Sequence, residues 1–176
     1  ADSLLNTGDY RASERTFQLI MQVSGRAGRG EIPGRVVIQT YNTEDFSITA
    51  ACNYDYATFY KQEIIIREKL CYPPFTNIGT VIVSSTNDKI ALDVAKWARK
   101  NIINLFEDCK DKPLILGPSR APLSKIKSKY RWRIVIKCNN MDKLIYTLRE
   151  TSDSFYAQRK KNNVELSIDI NPLNML

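Results

Sequence analysis

A chain of 176 residues with 43% hydrophobic and 26% charged composition is long enough for one substantial core or two small ones, and it is expected to fold. Lys+Arg 26 against Asp+Glu 19 gives a net charge of +7, which makes a polyanion a natural partner without requiring one. Cys52, Cys71, Cys109 and Cys138 stand 19, 38 and 29 residues apart, with no CxxC pair and no histidine. That leaves no usual zinc-ligand pattern, and no apolar run approaches the ~20 residues that span a bilayer. With no signal peptide at the start, free thiols in a reducing cytoplasm are expected, and Ala1 in place of Met suits a processed chain or an excised piece.

Ser13 is placed to N-cap a helix in which Phe17, Ile20, Met21 and Val23 recur at helical spacing, and Gly25 stands where that helix would end. Arg26 and Arg29 then fall at or just past its C-terminus. Pro33 and Gly34 make a turn, the β-branched run VVIQTY at 36–41 predicts a buried strand, and Thr43 with Glu44 opens a short helix. From Asp55 to Leu70 the pattern is helical, with Phe59, Ile64 or Ile65, and Leu70 inward, until the two prolines of CYPPF forbid continuation. Residues 71–75 form the expected domain boundary.

Beyond it the pattern resets. NIGTVIVSST at 77–86 reads as a strand, Asn87 to about Cys109 as a helix, and a second strand starts near Leu114. A basic segment leads into the strand RWRIVIK, then come a helix from about Met141 to Arg159 and a last strand, VELSIDI, at 164–170. The order β-α-β-β-α-β favours a split βαβ, ferredoxin-like α+β sandwich with two helices on one face of a four-stranded sheet.

Residues 22–30, QVSGRAGRG, carry two arginines among glycines 25, 28 and 30. The string alone fits a solvated Gly/Arg turn or an Arg-Gly tract that contacts nucleic acid loosely. A dinucleotide-binding loop does not fit, because these glycines follow a helix and are spaced GxxGxG. A phosphate-facing role does fit. Guanidinium is permanently charged and matches phosphate oxygens bidentately, while glycines let backbone approach closely.

The surrounding run YRASERTFQLIMQVSGRAGRGEIPGRVVIQTYN resembles the motif VI region of superfamily 2 helicases, and in detail the bacterial replication-restart family of PriA, primosomal protein N′. DYATFYKQEIIIREKLCYPPF and LGPSRAPLSKIKSKYRWRIVIK resemble two further blocks of that family, so the likeness extends over essentially the whole chain. The resemblance implies that residues 1–74 are the end of a second RecA-like helicase lobe and that 75–176 are a C-terminal α+β domain binding DNA and partners. Arg26 and Arg29 would be the catalytic motif VI arginines, Gln22 the motif's glutamine, and Gly25 and Gly28 its turn-shaping glycines beside the nucleotide. ATP and Mg²⁺ would be held mainly by a P-loop outside this chain, which has no GxxxxGK[ST] and no DExx-type box, so this piece alone is expected to be inactive. Zinc is implied upstream of residue 1. The implied whole is a 3′→5′ DNA helicase of the bacterial cytoplasm and nucleoid that recognises abandoned replication forks and starts primosome assembly. Its implied partners are forked and single-stranded DNA, single-stranded DNA-binding protein, and primosome and helicase-loading proteins, with no membrane. Where the family often has Asp-x-Asp-Pro, this chain has Asp169, Ile170, Asn171 and Pro172.

A second constellation is RAPLSKIKSKYRWR, Arg120–Arg133, with six basic residues and no acid. In one continuous strand Lys125, Lys127, Lys129, Arg131 and Arg133 would share a face opposite Ile126, Tyr130, Trp132 and Ile134; a reverse turn near 127–129 would break that alternation and leave the tip basic. The segment suits a DNA-backbone contact in which Tyr130 or Trp132 stacks on an exposed base, or an edge hairpin whose lysines discourage sheet pairing. Trp132 also suits a core position. Asp55 and Glu63 are expected to be solvated charges, Tyr72-Pro73-Pro74-Phe75 a stiff hinge, and Arg159, Lys160 and Lys161 cations closing a helix C-terminus. The rival to the helicase reading is a stand-alone basic nucleic-acid-binding module.

Overall fold

Short polar side chains decide where most helices begin. Asp55 and Asn87 accept from backbone N–H groups three residues on, Thr58 N at 2.9 Å and Ile90 N at 3.2 Å, and so cap helices α4 (Tyr56–Lys69) and α5 (Asp88–Leu105). Asp45 accepts from Ser47 N at 2.9 Å to start α3 (Phe46–Cys52). In the computed structural model, which describes residues 2–27, 35–158 and 163–173, the chain divides into two compact units at Leu70 and Cys71.

The first unit holds α1 (Asp2–Leu5), α2 (Ala12–Ala27), α3 and α4. Its small core is built from Phe17 and Ile20 of α2, Ile48 and Ala51 of α3 and Phe59 of α4, with the Phe17 and Phe59 rings stacked at 4.3 Å. Three expectations are corrected. The entry into α2 is organised by buried Asp9, not by Ser13: Asp9 Oδ1 accepts from Arg11 N and its backbone oxygen from Ala12 N, each at 3.0 Å. The helix also runs through Gly25 to Ala27, since nothing crowds that glycine and a single glycine costs a helix only about 1 kcal/mol. The run at 36–41 forms no strand, and Val37 and Tyr41 stand in solvent. A β-branched run pairs only where a neighbouring strand offers its edge, and the described residues of this unit contain none.

On α4 the inward face is Phe59 and Glu63, whereas Ile65 and Leu70 are exposed. Glu63, expected to be solvated, is buried because Arg67, one turn on, donates to it from Nε at 2.7 Å. A second guanidinium nitrogen of Arg67 reaches Glu14 of α2 at 2.8 Å.

The second unit contains β1 (Asn77–Ser85), α5, β2 (Leu114–Ile126), β3 (Lys129–Cys138), α6 (Met141–Gln158) and β4 (Val164–Ile170). The strands form one sheet in the order β2-β3-β1-β4, every neighbouring pair antiparallel. Hence β1 and β2 run parallel with β3 between them, and β3 and β4 run parallel with β1 between them, two interleaved split β-α-β units. Odd positions of β1 and even positions of β3 and β4 face the helices, where Val81, Val83, Ile134, Ile136 and Leu166 meet Val94, Ala98 and Ile102 of α5 and Leu144, Leu148 and Phe155 of α6. Gly79 lets α6 settle there: a Cβ on it would lie 2.8 Å from Leu148 Cδ1. On the opposite face the ring of Tyr72 packs 3.6 Å from the Lys137 ammonium.

The last strand ends on Asn171, whose backbone φ is +48°. Its N–H donates to Ile78 O at 2.7 Å and its Oδ1 accepts from Ile78 N at 2.9 Å, so the side chain completes the sheet edge. Asn adopts this left-handed conformation more readily than most residues, which accounts for the amide at this position.

Candidate functional sites

Helix α2 carries a polar stripe. Arg15, Gln18, Leu19 and Gln22 line an open groove of about 450 Å³. Arg15 is fixed by the Asp9 carboxylate at 3.0 Å and Gln18 by Glu14 at 3.1 Å. Gln22 and Arg26, four residues apart and therefore neighbours on the helix surface, are both exposed, and the Arg26 guanidinium makes no hydrogen bond or ion pair among the described residues. An exposed guanidinium at a helix end is chemically free to meet an anion. Gly25 lies within the helix beside it, while Gly28 and Arg29 lie outside the described residues, as do Arg159, Lys160 and Lys161.

The basic segment is a hairpin. Lys127 and Ser128 occupy its turn with φ of +47° and +62°, and Ile126 pairs with Lys129 and Lys125 with Tyr130 across it. Two successive positive φ values define the tight turn whose twist suits a hairpin, although neither residue is the usual Gly or Asn. The turn separates the cations expected to share one face. Lys129, Arg131 and Arg133 point to the sheet face away from the helices, whereas Lys125 lies on the helix side, its ammonium 4.7 Å from the Tyr130 ring centre. Lys127 stands exposed at the tip. Lys129 is hydrogen-bonded to Glu165, and Arg131 donates to Leu123 O at 3.1 Å. Arg133 is half-buried, and that desolvation, its largest influence, lowers its pKa.

Trp132 neither stands free nor lies wholly in the core. It packs against the main cluster on one side, donates from Nε1 to Asp88 Oδ1 at 2.9 Å, and is covered by the Arg120 guanidinium at 4.9 Å. Arg120 in turn reaches Asp88 Oδ2 at 2.6 Å. The indole N–H first, and Arg120 second, hold the Asp88 carboxyl below its ordinary range. Asp88 was missed in the sequence because it reads only as the first residue of a capped helix. Among the described residues no group of three or more His, Cys, Asp or Glu is placed to hold a metal. Cys138 is buried in the sheet core, and that burial pushes its thiol pKa up.

A four-stranded antiparallel sheet backed by two helices, with a cation-rich hairpin at one end, makes the second unit a small α+β sandwich. The model of the primosomal protein N C-terminal domain matches residues 68–173, and the chain belongs to that family. It is 39% identical over 176 residues to the replication restart protein PriA of Bacillus subtilis (strain 168), covering 100% of this chain and 22% of the relative. Against the protein of the same name from Synechocystis sp. (strain ATCC 27184 / PCC 6803 / Kazusa) it is 40% identical over 176 residues, 99% of this chain and 20% of the relative. The likeness to that of Rickettsia typhi (strain ATCC VR-144 / Wilmington) is 38% over 176 residues, 98% and 25%. The chain thus spans about a fifth to a quarter of the length of these curated relatives. No helix among the described residues is long and apolar enough to cross a membrane.

Proposed function

We propose that this chain is the C-terminal part of an ATP-dependent 3′→5′ DNA helicase that recognises abandoned replication forks and initiates primosome assembly. The observation that carries the reading is identity of 38–40% over alignments that cover 98–100% of the chain, to proteins named for replication restart. Residues 1–74 then finish a second RecA-like lobe, and 75–176 form a ferredoxin-like domain that contacts DNA and partners. The lone β-branched run at 36–41 is consistent with this, since such a lobe supplies the strands that it lacks here.

An exposed Gln22 and Arg26 at the end of α2 suit one flank of a nucleotide site, and the missing P-loop sequence assigns the phosphate cradle to another part of the protein. ATP with Mg²⁺ supplies the phosphoryl group whose transfer drives the motor. Arg26 and Arg29 place fixed positive charge where negative charge grows during that transfer, a contribution worth on the order of 10³–10⁵ in rate. Gln22 orients the polar edge of the same site, and Gly25 and Gly28 keep side chains out of its way. Zinc belongs to the family's cysteine-rich insertion, upstream of residue 1. On the second unit the hairpin meets phosphates through Lys127 at its tip, with Lys125 on one face and Lys129, Arg131 and Arg133 on the other, and Tyr130, on the Lys125 face, lies beside an exposed base. Forked and single-stranded DNA, single-stranded DNA-binding protein and primosome and helicase-loading proteins are the partners, in the bacterial cytoplasm at the nucleoid.

The test is Arg26→Ala in the full-length protein. DNA-stimulated kcat should fall by roughly 10²-fold or more with DNA affinity in the absence of nucleotide nearly unchanged. Weakened DNA binding with kcat spared would instead favour an Arg-Gly nucleic-acid contact.

A further inference from the structure

On the helix-side face of the β2–β3 hairpin the same layering occurs twice. Arg120 pairs directly with Trp132 across the strands and lies over its ring at 4.9 Å, and nearer the tip Lys125 pairs with Tyr130 and lies over that ring at 4.7 Å. In each case β2 supplies the cation and β3 the aromatic. Tyr130 and Trp132 are two residues apart on one strand face, so the layers repeat about every 6.6–6.8 Å. The Arg120 side chain remains 49% exposed, with its inner side on the indole and Asp88 at its edge.

The geometry points to a base-stacking platform, in which the outer face of the Arg120 guanidinium receives an unpaired nucleobase while Lys125 and Lys127 meet the flanking phosphates. This deepens, and rests on, the reading of the hairpin as a DNA contact. The chemistry selects a base over a phosphate at Arg120. Its charge is already matched by Asp88 at 2.6 Å, and that carboxylate would repel a phosphate yet can accept from a base amino group. Guanidinium planes and aromatic rings both present flat π surfaces on which bases stack without regard to sequence. Asp88 acts as a positioning residue: one oxygen holds the indole and the other the guanidinium, which keeps the guanidinium over the ring.

The test uses the 176-residue chain carrying Trp97→Phe, so that Trp132 is its one tryptophan. The probes are a forked oligonucleotide with one unpaired nucleotide and the same fork with an abasic residue at that position. The base-bearing fork should bind roughly 5- to 100-fold more tightly and quench Trp132 fluorescence. Arg120→Lys, which keeps the charge but not the plane, should abolish that preference and leave the salt dependence intact. Changing Lys127 and Lys129 to Ala together should weaken both forks alike and preserve the preference. If the two forks bind equally while the lysine dependence persists, the platform is overturned and the phosphate contact stands. Retention of the preference in Arg120→Lys also overturns it, and failure to bind either fork overturns both readings.

Discussion

The indole N–H of Trp132 donates to Asp88 Oδ1 at 2.9 Å, tying the first residue of α5 to the middle of β3. The bond stabilises the charged carboxylate, with Arg120 adding to it, so the folded pKa of Asp88 lies below the unfolded one. The stabilisation is therefore complete above the unfolded value of about 3.9 and is lost as pH falls through the lower, folded value. Urea unfolding followed from pH 7 down to pH 2 should show a flatter acid limb for Asp88→Asn, since Asn still accepts from the indole but does not titrate. Parallel curves for the two proteins would remove Asp88 from the acid response.

Gly117 is held at φ +94°, and a Cβ there would meet Arg133 O at 2.6 Å. It lies in the bulge between Leu116 and Ser119, where β2 changes register against β3. Both the dihedral and the contact with rigid backbone exclude any larger residue. Gly117→Ala should cost about 2 kcal/mol or more, read as a lowered thermal midpoint, while Gly25→Ala, in open helix, should be neutral or slightly stabilising.

How much of this was legible follows from where the signals are local. The helices starting at Asp55 and Asn87 were legible because their start signals and apolar spacing are local, and the strands NIGTVIVSS and RWRIVIK because a β-branched apolar run is local too. Inward Glu63 was hidden because its burial depends on Arg67, and nothing in VVIQTY says whether a partner strand will be present. The hairpin's two faces were ambiguous until the turn was located, since moving it by one residue exchanges the sides of Lys125 and its neighbours. The Asp88, Trp132 and Arg120 cluster joins residues 44 and 32 positions apart, which no local pattern reports.

Arg67 bridges two acids, Glu63 at 2.7 Å and Glu14 at 2.8 Å, with only 14% of its side chain exposed. Removing it strands a buried carboxylate, so Arg67→Met should destabilise the first unit by about 3 kcal/mol. The double change Arg67→Met with Glu63→Met should cost less than Arg67→Met alone, because no uncompensated charge is left behind. Chemical denaturation of both variants decides the point: a double variant weaker than the single one would mean that the side chains contribute mainly by packing.

The hairpin cations differ in how free they are, and the salt dependence of DNA binding should reveal it. Each phosphate contact contributes about 0.7–0.9 to the slope of log K against log[salt]. Lys127, exposed at the turn, can contribute fully, whereas Lys129 is already engaged by Glu165 and must leave it to meet a phosphate. On forked DNA, Lys127→Ala should therefore flatten the slope by most of one contact and Lys129→Ala by less, with the double variant reaching at most about 1.5. Glu165→Gln should steepen the slope by releasing Lys129, an effect opposite in sign to every lysine substitution. All of these changes should act equally on different sequences, since phosphate contacts position a protein without reading bases. Fluorescence anisotropy titrations at several salt concentrations measure each slope. An unchanged slope in the double lysine variant would mean that these lysines only keep the hairpin from pairing with other sheet edges, and that DNA is held elsewhere.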